Sequence, residues 1–132
     1  LMEYALKQLL LADTSIANLV GTRINWVKSQ QGAASPRIVL YRVSGVRDMH
    51  MQGPSGLVSS RVQVDCLGLT YDSAKSVARA VEARLSGFKG TRGAVRFDGC
   101  FLDNERDDDS YSDTPDKLFR TSLDFIIWHK EA

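Results

Sequence analysis

The sequence predicts an α+β fold: a mainly antiparallel β-sheet of about four strands with two helices packed on one face. The order of the patterns is helix, strands, helix, strands, without regular βαβ alternation. Residues 58–66 alternate in polarity, as in a strand, and residues 72–85 place apolar side chains at helical spacing. The length of 132 residues predicts one domain spanning 1–132.

In the first half of the chain, apolar residues at helical spacing predict a first helix over residues 2–10. A short helical turn at 16–20, a short strand at 24–27 and a loop at 29–36 follow. A β-rich run at 38–43 predicts the next strand. Residues 45–56 then read as a long loop that ends in a tight turn at 53–56.

The alternating strand at 58–66 and the helix at 72–85 are the clearest patterns. The strand has a side predicted to pack, with Val58, Ser60, Val62, Val64 and Cys66, and a side predicted to meet solvent or a partner, with Ser59, Arg61, Gln63 and Asp65. Thr70 or Asp72 is predicted to cap the helix, and Gly87 to end it.

The second half predicts a turn at 90–93, a strand at 95–102, an acidic loop at 103–116 and a last alternating strand at 118–129. The loop is inferred from seven carboxylates among fourteen residues. The outer side of the last strand carries Ile126 and Trp128. Apolar groups there indicate either a partner surface or a face covered by a helix or loop, and both readings stay open.

The residues that could carry chemistry form no catalytic, cofactor or metal signature. Cys66 and Cys100 read as buried free thiols, and His50 and His129 as surface histidines. The acidic run at 103–109 lacks the central glycine and closing glutamate of a calcium loop. We therefore expect no enzyme activity, no cofactor and no metal site.

The net charge and the lengths of the apolar runs bear on whether nucleic acid or a membrane is a partner. A net charge of +1 gives no argument for tight nucleic-acid or membrane binding, and the longest apolar run is too short to span a bilayer. Six arginines in strands and turns either face DNA phosphates or pair with the aspartates. They are Arg42, Arg47, Arg61, Arg92, Arg96 and Arg120.

Several segments, in this order and spacing, resemble the tail completion or tail terminator proteins of long-tailed bacteriophages, prophages and gene transfer agents. The last strand, at 120–129, is similar to the closing strand of that family. The other segments are 9–13 (Leu-Leu-Leu-Ala-Asp), 19–24 (Leu-Val-Gly-Thr-Arg-Ile), 31–36 (Gln-Gly-Ala-Ala-Ser-Pro), 53–58 (Gly-Pro-Ser-Gly-Leu-Val), 61–66 (Arg-Val-Gln-Val-Asp-Cys), and Thr70-Tyr71 with its helix.

The resemblance implies a virion structural protein that is assembled in the host cytoplasm and is not an enzyme. Such subunits form a homo-hexameric ring at the head-proximal end of the tail tube, stop tail polymerisation and join the tail to the head. The implied partners are other copies of the chain, the tail tube protein, the head–tail connector protein, and DNA that passes through the lumen without tight binding. No membrane partner is implied.

A ring needs head-to-tail contacts, which two long strands can supply by edge pairing or face packing. The predicted interface residues are Arg47, Met49, Met51, Arg61, Gln63, Asp65, Asp107, Asp108, Ile126 and Trp128. The alternatives are a head-side connector or adaptor subunit, a small nucleic-acid-binding module, and, as the weakest, a small enzyme.

Overall fold

A computed structural model describes residues 2–27, 36–50, 53–109 and 119–131, and the side chains of these except at 46–50, 53–56, 108–109 and 131. This part of the chain contains three helices and six strands. In chain order they are α1 (Met2–Leu11), α2 (Thr14–Val20), β1 (Ile24–Trp26), β2 (Arg37–His50), β3 (Gly53–Gly68), α3 (Tyr71–Leu85), β4 (Gly90–Arg92), β5 (Val95–Asp109) and β6 (Phe119–Glu131).

The six strands form one sheet in the order β1-β2-β3-β6-β5-β4. Only β1 and β2 pair in parallel, and every other neighbouring pair is antiparallel. The α+β class and the mainly antiparallel sheet are therefore confirmed. The expected counts of about four strands and two helices are too low, because β4 has only three residues and its sequence reads as a turn, and because α2 forms a separate short helix.

Two long hairpins build the centre of the sheet, and they correct two predicted loops. β2 continues to His50 and β3 begins at Gly53, so most of the predicted loop at 45–56 is strand; residues 51–52 lie outside the described residues. The tight turn predicted at 53–56 is wrong for the same reason. Pro54 lies in β3 opposite Met49, beyond the reach of β6, whose pairing with β3 starts at Leu57. A proline is tolerated where one side of its strand has no ladder partner.

The acidic segment is also strand up to Asp109, so the predicted loop at 103–116 is wrong over its first half; residues 110–116 lie outside the described residues. Backbone ladder bonds form regardless of side-chain polarity, and β6 supplies the partner from Asn104↔Asp124 to Asp109↔Phe119. The hairpins contain four register shifts, one of them between Leu102 and Asn104. Such bulges bend a strand and increase its twist.

One face of the sheet packs on the helices. The packed side predicted for 58–66 is confirmed, since Val62, Val64 and Cys66 are fully buried in the core. They pack with residues of β6 and α3, which are Leu123, Phe125, Ile127, Val77, Ala78, Val81 and Leu85.

Three residues that sequence patterns flagged for chemistry lie in this interior. Cys66 and Cys100 are free and buried, as predicted. Burial raises the pKa of both thiols, that of Cys100 to about 12, so neither is a reactive thiolate near neutral pH. His129 is 5% exposed, and the prediction of a surface histidine is wrong because its register position opposite Val58 puts it on the packed face.

Helix α3 begins as the sequence predicts. Thr70 has extended backbone, and its hydroxyl accepts a hydrogen bond from the Ser73 N–H at 3.1 Å, which makes it the N-cap. Gly68, just before it, has no room for a side chain, since an added Cβ would lie 2.8 Å from the backbone nitrogen of Ala74. The end of β3 and the start of α3 are therefore fixed against each other.

Candidate assembly surface

Five of the predicted interface residues lie together on the sheet face opposite the helices, which we call the open face. They are Arg61, Gln63, Asp65, Ile126 and Trp128. The register explains this grouping, because Arg61 pairs with Ile126, Gln63 with Asp124, and Asp65 with Ser122. Successive residues of a strand point to opposite faces, so the odd-numbered residues of β3 and the even-numbered residues of β6 share the open face.

One end of the open face is a polar network around Asp65 and Asp124. The Ser122 hydroxyl donates to Asp65 Oδ1 at 2.7 Å, and the Gln63 amide donates to the same oxygen at 2.8 Å. Arg106 Nη1 donates to Asp124 Oδ2 at 2.7 Å. Asp65 is only 4% exposed, so the prediction that it meets solvent is wrong: hydrogen bonds from its neighbours satisfy the carboxylate inside the network.

Arg61 links this network to β5. Its guanidinium lies 2.8 Å from Asp103 Oδ2 and 3.8 Å from Asp124 Oδ2. Asp103 is the extra residue of the bulge between Leu102 and Asn104. The other oxygen of Asp124, Oδ1, is buried and has no hydrogen-bond partner in the described part of the chain. Of the two uses left open for the arginines, ion pairing therefore applies to Arg61.

Three more of those arginines are also ion-paired, which reduces the positive charge offered to DNA. Arg42 lies 2.9 Å from Glu3, Arg96 2.9 Å from Asp98, and Arg120 3.8 Å from Asp65.

The other end of the open face is apolar. Phe101 is 51% exposed and lies opposite Ile126 in the ladder, while Trp128 lies opposite Gly99. A Cβ at Gly99 would come within 2.9 Å of two Phe101 ring carbons, so the ring covers the glycine backbone. Ile126 and Trp128 are half-buried on this face. The helices thus leave this apolar end uncovered, which favours the partner-surface reading of these residues.

Asp107 lies on the opposite side of the sheet, in a charged cluster against the first half of α3. Lys75 Nζ is 2.9 Å from Asp107 Oδ1 and 2.8 Å from Glu105 Oε2, and Arg79 also binds Glu105. The Thr121 hydroxyl donates to Asp107 at 3.0 Å. Hydrogen bonds from Arg79 and Lys75 lower the pKa of Glu105, the Lys75 bond lowers that of Asp107, and both carboxylates raise the pKa of Lys75.

Sequence reasoning missed this cluster. The signal was present: Lys75 and Arg79 are four residues apart on α3, and Glu105 and Asp107 alternate with strand spacing. Reading 103–116 as a loop removed the periodicity that would have put both carboxylates on one face.

All ten predicted interface residues stay predictions as an interface, and four of them have no described side chain. Arg47 and Met49 lie in β2 and Asp108 in β5, opposite Arg120, but their side chains are not among the described ones. Met51 lies outside the described residues.

The described residues contain no group of three or more His, Cys, Asp or Glu side chains that could hold a metal ion. Ser60 Oγ and His129 Nε2 are 2.8 Å apart, but both side chains are buried on the packed face, away from any substrate in solvent. No described helix has the length and apolar character needed to cross a membrane.

Fold and surface together define an α+β subunit whose conspicuous feature is a large, partly apolar sheet face. The family model for "Tail completion protein gp17" matches residues 4–130, and the chain belongs to this family. Its fold is similar to that of a chain in a solved structure entitled "Virion of native gene transfer agent (GTA) particle", with 21% identity and a TM-score of 0.77. That similarity covers 98% of this chain and 94% of the other. No curated protein matches the sequence.

These matches confirm the resemblance drawn from the sequence segments. The chain is a phage-like tail protein of the virion, with a structural role.

Proposed function

We propose that the protein forms a hexameric ring at the head-proximal end of the tail tube, where it stops tube polymerisation and joins the tail to the head. The observation that carries this proposal is the match of residues 4–130 to the tail completion family. A protein that completes a tail acts when tube growth ends, and a ring is the shape that fits the end of a tube. We infer that the subunits assemble in the host cytoplasm.

The partners follow from this position. The ring contacts further copies of itself, the tail tube protein on one side and the head–tail connector protein on the other. DNA passes through its lumen. A net charge of +1 suits this passage, because tight, salt-sensitive DNA binding requires many uncompensated basic groups. The ion pairs of Arg42, Arg61 and Arg96 support the same inference.

The test is to image particles assembled without this protein. We expect tails of uncontrolled length that are not attached to heads, and we expect the wild-type chain supplied in trans to restore one length. Tails of normal length beside filled heads would instead assign a head-side adaptor role. Particles of normal form and number would contradict both roles.

A further inference from the structure

We propose that neighbouring copies join by antiparallel strand pairing between the outer edge of β2 in one copy and the outer edge of β5 in the next. This inference rests on the proposed ring, and it names the surface that closes it. We call residues 42–50 the β2 edge and residues 101–109 the β5 edge.

Both edges extend beyond the short strands that flank the sheet. β1 pairs with β2 only as far as Leu40, and β4 pairs with β5 only at 95–97. The next backbone contact on that side of β5 is a 2.8 Å hydrogen bond from the Gly87 N–H to the Cys100 carbonyl. Past these points, no strand in the described ranges pairs with the outer side of either edge.

Two such edges are unusual unless they have partners. An open strand edge offers backbone donors and acceptors to another chain, and proteins normally shorten or cover it. Here each edge has nine residues, and each carries an exposed large apolar side chain: Val43 is 55% exposed and Phe101 is 51% exposed. Pairing with another strand would satisfy the backbone and cover these side chains.

The two edges differ in charge. The β2 edge contains two arginines and one aspartate, and Glu3 pairs with its Arg42, which leaves this edge close to neutral. The β5 edge contains five acidic residues and one arginine; Arg61, Lys75 and Arg79 pair with three of the carboxylates and Asp124 pairs with the arginine, which leaves an excess of two acidic residues. This excess disfavours contact between two β5 edges and leaves the near-neutral β2 edge as the better partner. The fitting occupant of each edge is therefore the other edge of a second copy.

Strand directions allow this contact. Because β2, β3, β6 and β5 are antiparallel in succession, β2 and β5 run in opposite directions. A neighbour related by rotation about an axis near the strand direction then places its β2 antiparallel to β5. Since the two surfaces differ, the contact is head-to-tail and can close a ring.

The register of the sheet also shows that the two edges are displaced from each other along the strand direction. Across the sheet, Val46, the centre of the β2 edge, aligns with Gly99, whereas the centre of the β5 edge is Glu105. These levels are five residues apart along β6, or roughly 17 Å. A closed ring absorbs a stagger between neighbours only if its strands are tilted from the ring axis, as in a β-barrel. The inference thus includes tilted strands in the assembled ring.

Charge changes at the two edges test the pairing. Arg47→Glu makes both edges of a copy negative, and we expect this variant to need at least about tenfold more protein than the wild type to form rings at low salt. Asp108→Lys only reduces the negative charge of the β5 edge, so this variant should need a smaller increase in protein concentration to form rings than Arg47→Glu does. An equimolar mixture should assemble at lower concentration than Arg47→Glu alone, because the negative β2 edge of one variant then meets the less negative β5 edge of the other.

Lys89→Glu makes the same charge change as Arg47→Glu at an exposed position outside both edges, and should assemble as the wild type does. If wild-type rings form and both edge variants assemble as readily as the wild type, the strand pairing is wrong while the ring function stands. If the wild-type chain never forms rings, even with tail tube protein, the proposed function itself fails.

Hydrogen exchange on the wild-type chain keeps the test independent of variant folding. Amides of 42–50 and 101–109 should exchange more slowly in the ring than in the dissociated subunit. Unchanged exchange in both segments would overturn the proposal.

Discussion

Asp65 shows how single residues stabilise the open face. Its carboxylate accepts hydrogen bonds from Ser122 and Gln63 and is almost fully buried. A buried donor that loses its acceptor retains the cost of its desolvation. The interactions that hold Asp65 therefore also determine the shape of the polar end of the face.

We predict that Asp65→Ala lowers the free energy of unfolding by about 1–3 kcal/mol, because the Ser122 hydroxyl and the Gln63 amide lose their acceptor. Urea denaturation measures the change. Asp72→Ala removes an exposed carboxylate from α3 and should change the value by less than about 1 kcal/mol. Equal effects of the two substitutions would contradict the role assigned to Asp65.

A second prediction concerns Glu105, whose pKa in the folded protein is lowered by Arg79 and Lys75. A carboxylate with a lowered pKa stabilises the fold above its unfolded pKa of about 4.3, and this contribution is lost as the pH falls through its folded pKa. As the pH falls below about 5, the free energy of unfolding of Glu105→Gln should therefore decrease less than that of the wild type. The change in the free energy of unfolding stays below about 1 kcal/mol, because water screens the ion pairs of a side chain that is 26% exposed.

The measurement is the urea midpoint of wild type and variant between neutral pH and about pH 3. Asp72→Asn is the control that removes a carboxylate outside the cluster. If Glu105→Gln lost stability below about pH 5 as steeply as the wild type, the pairing of Glu105 with Lys75 and Arg79 would not contribute to the acid dependence of stability.

At the scale of elements, the junction between β3 and α3 is the best-defined part of the fold. Thr70→Ala removes the acceptor of the Ser73 N–H, and should lower the free energy of unfolding by about 1 kcal/mol. Thr70→Ser keeps the hydroxyl and should stay close to the wild type. A loss of equal size in both variants would show that the methyl group, and not the cap, matters.

The same scale shows what the sequence can predict. The strand at 58–66 and the helix at 72–85 can be recognised because their periodicities are local. The extensions of β2 to His50 and of β5 to Asp109 cannot, because glycines and carboxylates resemble loop composition and the pairing strands supply the missing information. The burial of Asp65 depends on Ser122, which is 57 residues away in the chain.

At the scale of the whole molecule, the sheet explains how a small subunit can offer several contacts. The helices cover one face, which leaves the open face and two strand edges for neighbours. Five of the ten residues predicted for the interface share the open face, and their grouping could be inferred from alternation along β3 and β6. Asp107 lies on the other face because β5 places it against α3, which no local pattern indicated once its segment was read as a loop.

The most direct test of the central claim is the mass and shape of the purified full chain, by light scattering and negative-stain microscopy, with increasing concentration and with tail tube protein added. We predict closed rings of six copies of the 14.6 kDa chain, about 88 kDa, with a central channel. A particle of 14.6 kDa at every concentration, even with tube protein present, would contradict it.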